Sequence, residues 1–291
     1  MPVSIAVAVA VILRIVSNPV ANVFQKKLTA GRFHPLLVNA ATYTGLSVLC
    51  VVQAFSIPWL ALPSAFWIFS MLGGLAGAVG NGFLVKALQK GELSVLGPVN
   101  AYKSVVGLVI GMLVLGELPN AWGLLGTILI IAGSYPILHT PAERFSWQLL
   151  KRKEIQFRFW ALLLTAIEAV LIKKVILISN VTVSFVAWCW WGCFFSVLLL
   201  PFGGMRPVVR PLSWQDGGNY LGLLLCIGTM QLSTNFVFEH IAVGYALALF
   251  QLSALVTVFL GYQFFQEKDL KKKLVGSLVM IAGSVVIILL K

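Results

Sequence analysis

From residue 3 to residue 290 the chain is a succession of apolar runs, each about twenty residues long and joined by short polar connections. A run of that length matches the hydrocarbon thickness of a bilayer when it is helical, and a helix satisfies its own backbone polar groups there. Reading on that scale predicts helices near 3–28, 35–57, 64–88, 94–116, 120–138, 158–179, 183–202, 218–239, 243–265 and 272–290. Hydrophobic residues make up 59% of the chain and charged residues 10%, against roughly 25% charged in soluble domains. The expected fold is therefore an all-α polytopic membrane protein, with about ten transmembrane helices and no room for a soluble domain. The N-terminal run lacks a basic leader and a small-residue cleavage site, so it is expected to be retained as the first span.

The runs are not independent of one another. Gly116–Leu138, GELPNAWGLLGTILIIAGSYPIL, aligns without gaps on residues 266–288, QEKDLKKKLVGSLVMIAGSVVII. Glu117 meets Glu267, Gly126 meets Gly276, and Ile131-Ala132-Gly133-Ser134 meets Ile281-Ala282-Gly283-Ser284. Phe24-Gln25-Lys26-Lys27 lies opposite Ile172-Lys173-Lys174 at nearly the same offset. The chain thus reads as a duplication, residues 1–140 and 158–291, joined by a basic linker at 141–157. Each copy holds about five spans, and an odd number forces the second copy to enter the membrane upside down. Two inverted five-helix repeats around a central cavity are a common build of secondary transporters, which bind cargo near mid-membrane at the repeat interface.

Val114-Leu115-Gly116-Glu117 followed by a helix with Ile131-Ala132-Gly133 resembles the EamA domain of the drug/metabolite transporter superfamily. Glu267 followed by Ile281-Ala282-Gly283 repeats the pattern, with Gln266 in place of the glycine. The resemblance covers essentially the whole chain as two tandem EamA domains. It implies a cavity lined mainly by helices one, three, four, six, eight and nine, with five and ten peripheral. It does not single out a substrate.

Polar residues inside the spans mark where the bundle interior lies, because a buried charge facing lipid is costly. Arg14, Asn18 and Asn22 recur at i, i+4, i+8 on one face of the first helix, with Ser17, Ala21 and Gln25 beside them. Pro19 interrupts the backbone hydrogen bonding at that stripe and can kink it. The fourth span carries Asn100, Lys103 and Ser104 after Gly97-Pro98. Glu168 stands mid-span in the sixth, where it either pairs with Lys103 or Arg14, meets a substrate amine, or takes up a proton. Gln231 and Asn235 share a face of the eighth, with Thr234 adjacent and Glu239-His240 at the helix end. The candidate substrate-binding residues are therefore Arg14, Asn18, Asn22, Asn100, Lys103, Glu168, Gln231 and Asn235. Pro19, Gly77, Gly80, Asn81 and Pro98 are candidates for close packing or gating. Trp188, Trp190 and Trp191 read as interface or packing aromatics.

Arg14, Lys103 and Glu168 have no charged counterpart in the other copy, where Ala161, Ser253 and Ala21 stand. A costly buried charge found in one copy is not needed for a shared fold, so these three are read as tuned to cargo. Two cations and one anion suit an amino acid-like zwitterion or an organic anion, moved by alternating access. An exchanger of phosphorylated or nucleotide-linked anions is the second reading, and a non-transporting membrane scaffold with internally neutralised charges is the third. The sequence carries no HExxH, GxSxG, Walker loop or Cys/His cluster, so no enzyme, no cofactor and no metal site is expected. Cys50, Cys189, Cys193 and Cys226 fall in apolar runs and read as small buried hydrophobes.

The net charge of +12 is better explained by membrane orientation than by nucleic acid. The expected partners are a small-molecule substrate, protons or a counter-substrate, and the lipid bilayer, with no nucleic acid and a monomer or homodimer. The expected location is the plasma, or bacterial inner, membrane. Lys26, Lys27, Arg32, Lys90, residues 142–158, Arg206, Arg210 and residues 267–273 place basic charge in odd-numbered loops. That bias puts both termini outside, whereas the family resemblance implies both inside.

Overall fold

The computed structural model describes residues 3–30, 33–91, 102–138, 152–203 and 213–265, with 275–276, 278–283 and 286 near the C-terminus. The described residues form helices and turns without a strand. In chain order the helices are α1 (Val3–Thr29), α2 (Pro35–Leu49), α3 (Val51–Phe55), α4 (Ser64–Lys90), α5 (Tyr102–Leu115) and α6 (Ala121–Leu138), followed by α7 (Lys153–Ile178), α8 (Val181–Leu198), α9 (Trp214–His240), α10 (Val243–Phe250) and α11 (Ser253–Phe265). The helical residues at 275–286 follow. Five stretches, among them Ile5–Thr29 and Ser64–Gln89, are long and apolar enough to cross a membrane. Large apolar side chains such as Ile12, Val52, Phe55 and Leu113 point outward, whereas Arg14, Asn22, Glu168 and Asn235 are buried. That inversion is the arrangement of a polytopic membrane protein.

Local chemistry explains the helix ends. Pro35 opens α2, and His34 caps it by accepting the Leu36 N–H at 3.3 Å. Asn180 caps α8 through the Val183 N–H at 2.9 Å, and Ser213 with Asp216 forms a capping box on α9. Gly116 ends α5 with φ of +72°, a left-handed conformation that costs any residue with a Cβ. Lys26 and Lys27 occupy the last turn of α1, where a cation suits the helix dipole.

Three expected boundaries are corrected. The second apolar run is two pieces, α2 and α3, meeting at Cys50. The ninth is also two, α10 and α11, separated at Gln251-Leu252. There the backbone tightens to i→i+3 bonds: Gln251 N–H to Ala248 O at 3.0 Å, and Ala254 N–H to Gln251 O at 2.8 Å. The sixth span starts at Lys153 rather than 158, so Arg158 lies inside a helix and not in a loop.

The helices pack in pairs that match one another when residues 1–140 and 158–291 are compared. α1 packs on α9 as α7 packs on α4, and α1 packs on α11 as α7 packs on α5. α2 meets α8 and α5 meets α10, each pair mapping onto itself. α6 and the C-terminal helix cross at Gly133 and Gly283, the glycines that align in the sequence. A Cβ on Gly133 would lie 2.6 Å from the Gly276 carbonyl oxygen, and one on Gly283 would lie 2.6 Å from that of Gly126. Two lysines behave alike as well: Lys26 donates to Gly91 O at 3.1 Å, and Lys173 donates to Ile241 O at 2.9 Å.

Candidate functional site

Polar side chains of α1, α4, α5, α7 and α9, with Trp188 of α8 and Leu247 and Phe250 of α10, surround one central cavity of about 80 Å³. That is room for several water molecules or one small solute. Among the described residues, neither α6 nor the C-terminal helix contributes to its lining. Arg14, Asn18, Asn22 and Gln25 enter it from α1 in the order their helical spacing dictates. Pro19 lies within an unbroken α1.

Arg14 is held on two sides. Its Nε donates to Thr234 Oγ1 at 2.8 Å, and its Cζ stands 4.9 Å from the centre of the Phe250 ring. Its Nη1 is buried with no hydrogen-bond partner among the described residues. Thr234 can accept because its own hydroxyl donates to Met230 O at 2.7 Å.

Glu168 is fixed from the other side of the cavity. Its Oε1 accepts the indole N–H of Trp188 at 2.6 Å. Trp188 is therefore a cavity residue, which corrects the reading of it as packing alone. Its ring is set by Tyr43, with centroids 4.8 Å apart, and Tyr43 accepts from Asn81 Nδ2 at 2.8 Å. Asn81, expected to pack or gate, lines the cavity while it orients Tyr43. Gly77 and Gly80 are packing residues: Gly77 faces Glu168, and Gly80 faces Leu164 and Thr165.

Lys103 reaches the cavity from α5 and makes no hydrogen bond, and no ion pair within 4.0 Å, among the described residues. Lys103 and Arg14 nonetheless act electrostatically on Glu168. Gln231 lines the cavity and donates to Asn235 Oδ1 at 2.8 Å. Asn235 itself lies behind the wall, fully buried and off the lining, so it supports Gln231. Asn100 and Pro98 lie outside the described residues. Glu239 and His240 stand away from the cavity at the end of α9, 3.8 Å from each other.

Arg158 is a cavity residue that sequence reasoning missed. Positions 158, 161, 165, 168 and 172 of α7 all line the cavity, and they recur at helical spacing. That periodicity was the available signal, and it was hidden by the run of basic residues just before it.

Residues 5–138 match the EamA-like transporter family. This EamA-like half contains Arg14, Asn18, Asn22, Asn81 and Lys103, whereas Arg158, Glu168 and Trp188 come from beyond it. The match suggests a membrane transporter of the drug/metabolite type. No curated protein matches the chain significantly. Among solved structures 28 chains match. One of them, a protein crystal structure, aligns with a TM-score of 0.74 at 15% identity, over 97% of this chain and 97% of its own. At that identity the likeness is one of fold alone, and it runs along nearly the whole chain.

Proposed function

We propose that the protein is a secondary transporter that moves a small polar metabolite by alternating access between two inverted halves. The observation that carries this reading is a polar cavity, set in an apolar bundle, into which Arg14 and Lys103 carry donors that no hydrogen bond or close ion pair uses up. Arg14 keeps a buried N–H group unpartnered, and Lys103 stands free of any ion pair within 4.0 Å among the described residues. A scaffold would neutralise such groups internally, because leaving a buried donor unsatisfied costs about 1–3 kcal/mol. The exchange of helix pairs between halves, and the matched contacts of Gly133 with Gly283 and of Lys26 with Lys173, support two tandem repeats.

In this reading Arg14 and Lys103 hold an anionic group, and Asn18, Asn22 and Gln231 orient it. The free edge of the Glu168 carboxylate receives an amine or a proton. Amino acid-like zwitterions and organic anions fit that set, and the cavity volume favours small ones. The presence of Arg158 in the lining supports the second reading, exchange of phosphorylated or nucleotide-linked anions.

Uptake into proteoliposomes of amino acids, dicarboxylates and sugar phosphates tests both readings. The zwitterion reading expects amino acid uptake that is lost in Arg14→Ala, Lys103→Ala and Glu168→Gln. Uptake of phosphates that survives Glu168→Gln and disappears in Lys103→Gln selects the second reading instead. No uptake of any solute, with no ligand raising the melting temperature of the detergent-purified protein, would sink both.

A further inference from the structure

A second ionic cluster lies away from the cavity and joins segments that line it. Glu117, in the turn between α5 and α6, accepts the Val243 N–H at Oε2 (2.8 Å) and holds Lys173 Nζ 3.3 Å from Oε1. Lys173, near the end of α7, also donates to Ile241 O at 2.9 Å. One carboxylate and one ammonium therefore fasten the α9–α10 connection to α7 and to the α5–α6 turn. The partly enclosed pair is 18% exposed at Glu117 and 9% at Lys173.

What this cluster fastens is α10. All residues of Val243–Phe250 are buried, and Leu247 and Phe250 form part of the cavity wall. The packing against α5 and α6 is close: Leu247 rests on Gly107, Gly244 on Leu108, and the Tyr245 ring on Gly123. Opposite charges occupy the two ends of this short helix. The Glu117 carboxylate meets its N-terminal N–H, where an anion suits the helix dipole, and the Arg14 guanidinium stands over the Phe250 ring near its other end. The turn at Gln251-Leu252 separates α10 from α11, so α10 can move without dragging a whole span.

We propose that Glu117 and Lys173 form a clamp that holds α10 across its end of the cavity, and that release of the clamp opens the cavity on that side. This rests on the transporter reading, and it adds the residues that govern one of its two closures. Glu117 touches α10 and not the cavity, so it is a positioning residue. Breaking one member of an enclosed pair leaves the other uncompensated, so the two charges act as a unit.

The test reads water access and not transport. In full-length protein with its four cysteines replaced by serine, Leu247→Cys reports on α10 and Ala87→Cys reports on a packed site beside Val23, Leu88 and Ile155. Each is reconstituted in liposomes and labelled with a charged methanethiosulfonate reagent. Glu117→Gln and Lys173→Gln are each expected to speed labelling at 247 by about tenfold or more, the scale of one charge-assisted hydrogen bond. The double variant is expected to be no faster than the faster single one, and labelling at 87 is expected to stay at the parent rate. Unchanged labelling at 247 in both single variants, multiplying effects, or equal acceleration at 87 each overturns the clamp. If Glu117→Gln does not fold, Lys173→Gln and Lys173→Arg decide: arginine keeps the parent rate, and a rate equal to that of glutamine overturns the proposal. Accelerated labelling together with no transport of any solute leaves the clamp standing and removes the transporter reading.

Discussion

The carboxylate of Glu168 lies directly on Gly77, so that a Cβ at position 77 would collide with Oε1 and come within 2.7 Å of Cδ. The glycine is the floor of the charged site, and its lack of a side chain sets how deep the carboxylate sits. Gly77→Ala is expected to lower stability by about 1–3 kcal/mol, the usual cost of overpacking. Gly73→Ala, on the same helix, meets only Leu171 Cβ at 3.5 Å, and is expected to be neutral or slightly stabilising through helix propensity. Thermal unfolding in detergent compares the two. Equal effects would show that Glu168 yields to the added methyl group.

Trp188 holds the same carboxylate from above. Trp188→Phe keeps the aromatic contact with Tyr43 but removes the N–H that reaches Oε1 at 2.6 Å. Loss of a hydrogen bond to a charged group costs about 1.5–3 kcal/mol. The same substitution in a Glu168→Gln background is expected to cost less, because an amide oxygen is the weaker acceptor. A double-mutant cycle on unfolding midpoints reads the difference, and additive effects would mean that the carboxylate is no better an acceptor than the amide.

The fold and much of this site were legible in the sequence, for identifiable reasons. Apolar runs of fixed length and scarce charge leave a chain little choice but a helical bundle in lipid. Within such a bundle, polar residues at i, i+4, i+8 on α1 can only face inward, and Arg14, Asn18 and Asn22 do. What stayed hidden depends on partners distant in the chain. The indole of Trp188 is chemically silent until Glu168 is placed beside it. The turn at Gln251 is invisible because the run around it stays apolar and contains no proline or glycine at the break. Glu117 stood out as the partner of Glu267 in the alignment, but its own partners Lys173 and Val243 come from other spans.

Outside the membrane spans, His34 supplies a pH dependence with a definite sign. Its Nδ1 accepts the Leu36 N–H at 3.3 Å, which only the neutral ring can do. Partial burial, and secondly the nearby Lys86 ammonium, lower its pKa below the ordinary value of 6.5. The fold therefore favours the neutral form. The stabilising contribution is complete above the ordinary value and is lost as pH falls through the lowered one. His34→Asn keeps a capping acceptor without a titrating group. Its melting temperature is expected to change less than that of the parent between about pH 7 and pH 5. Parallel curves for the two proteins would show that the cap does not respond to pH.

The crossing of α6 with the C-terminal helix offers a test of the duplication itself. A Cβ on Gly133 would meet Gly276 O at 2.6 Å and Met280 Cγ at 2.8 Å, and one on Gly283 would meet Gly126 O at 2.6 Å and Ile130 Cγ1 at 2.9 Å. The obstacle is backbone in both cases, so neither site can relieve the overlap by moving a side chain. Gly133→Ala and Gly283→Ala are each expected to destabilise by about 1–3 kcal/mol, and by similar amounts. The double variant is expected to cost less than the sum, because the first alanine already separates the two helices. Unfolding midpoints of the two single variants and the double variant decide it. A large effect at one glycine and none at the other would mean that the halves do not share this contact equally.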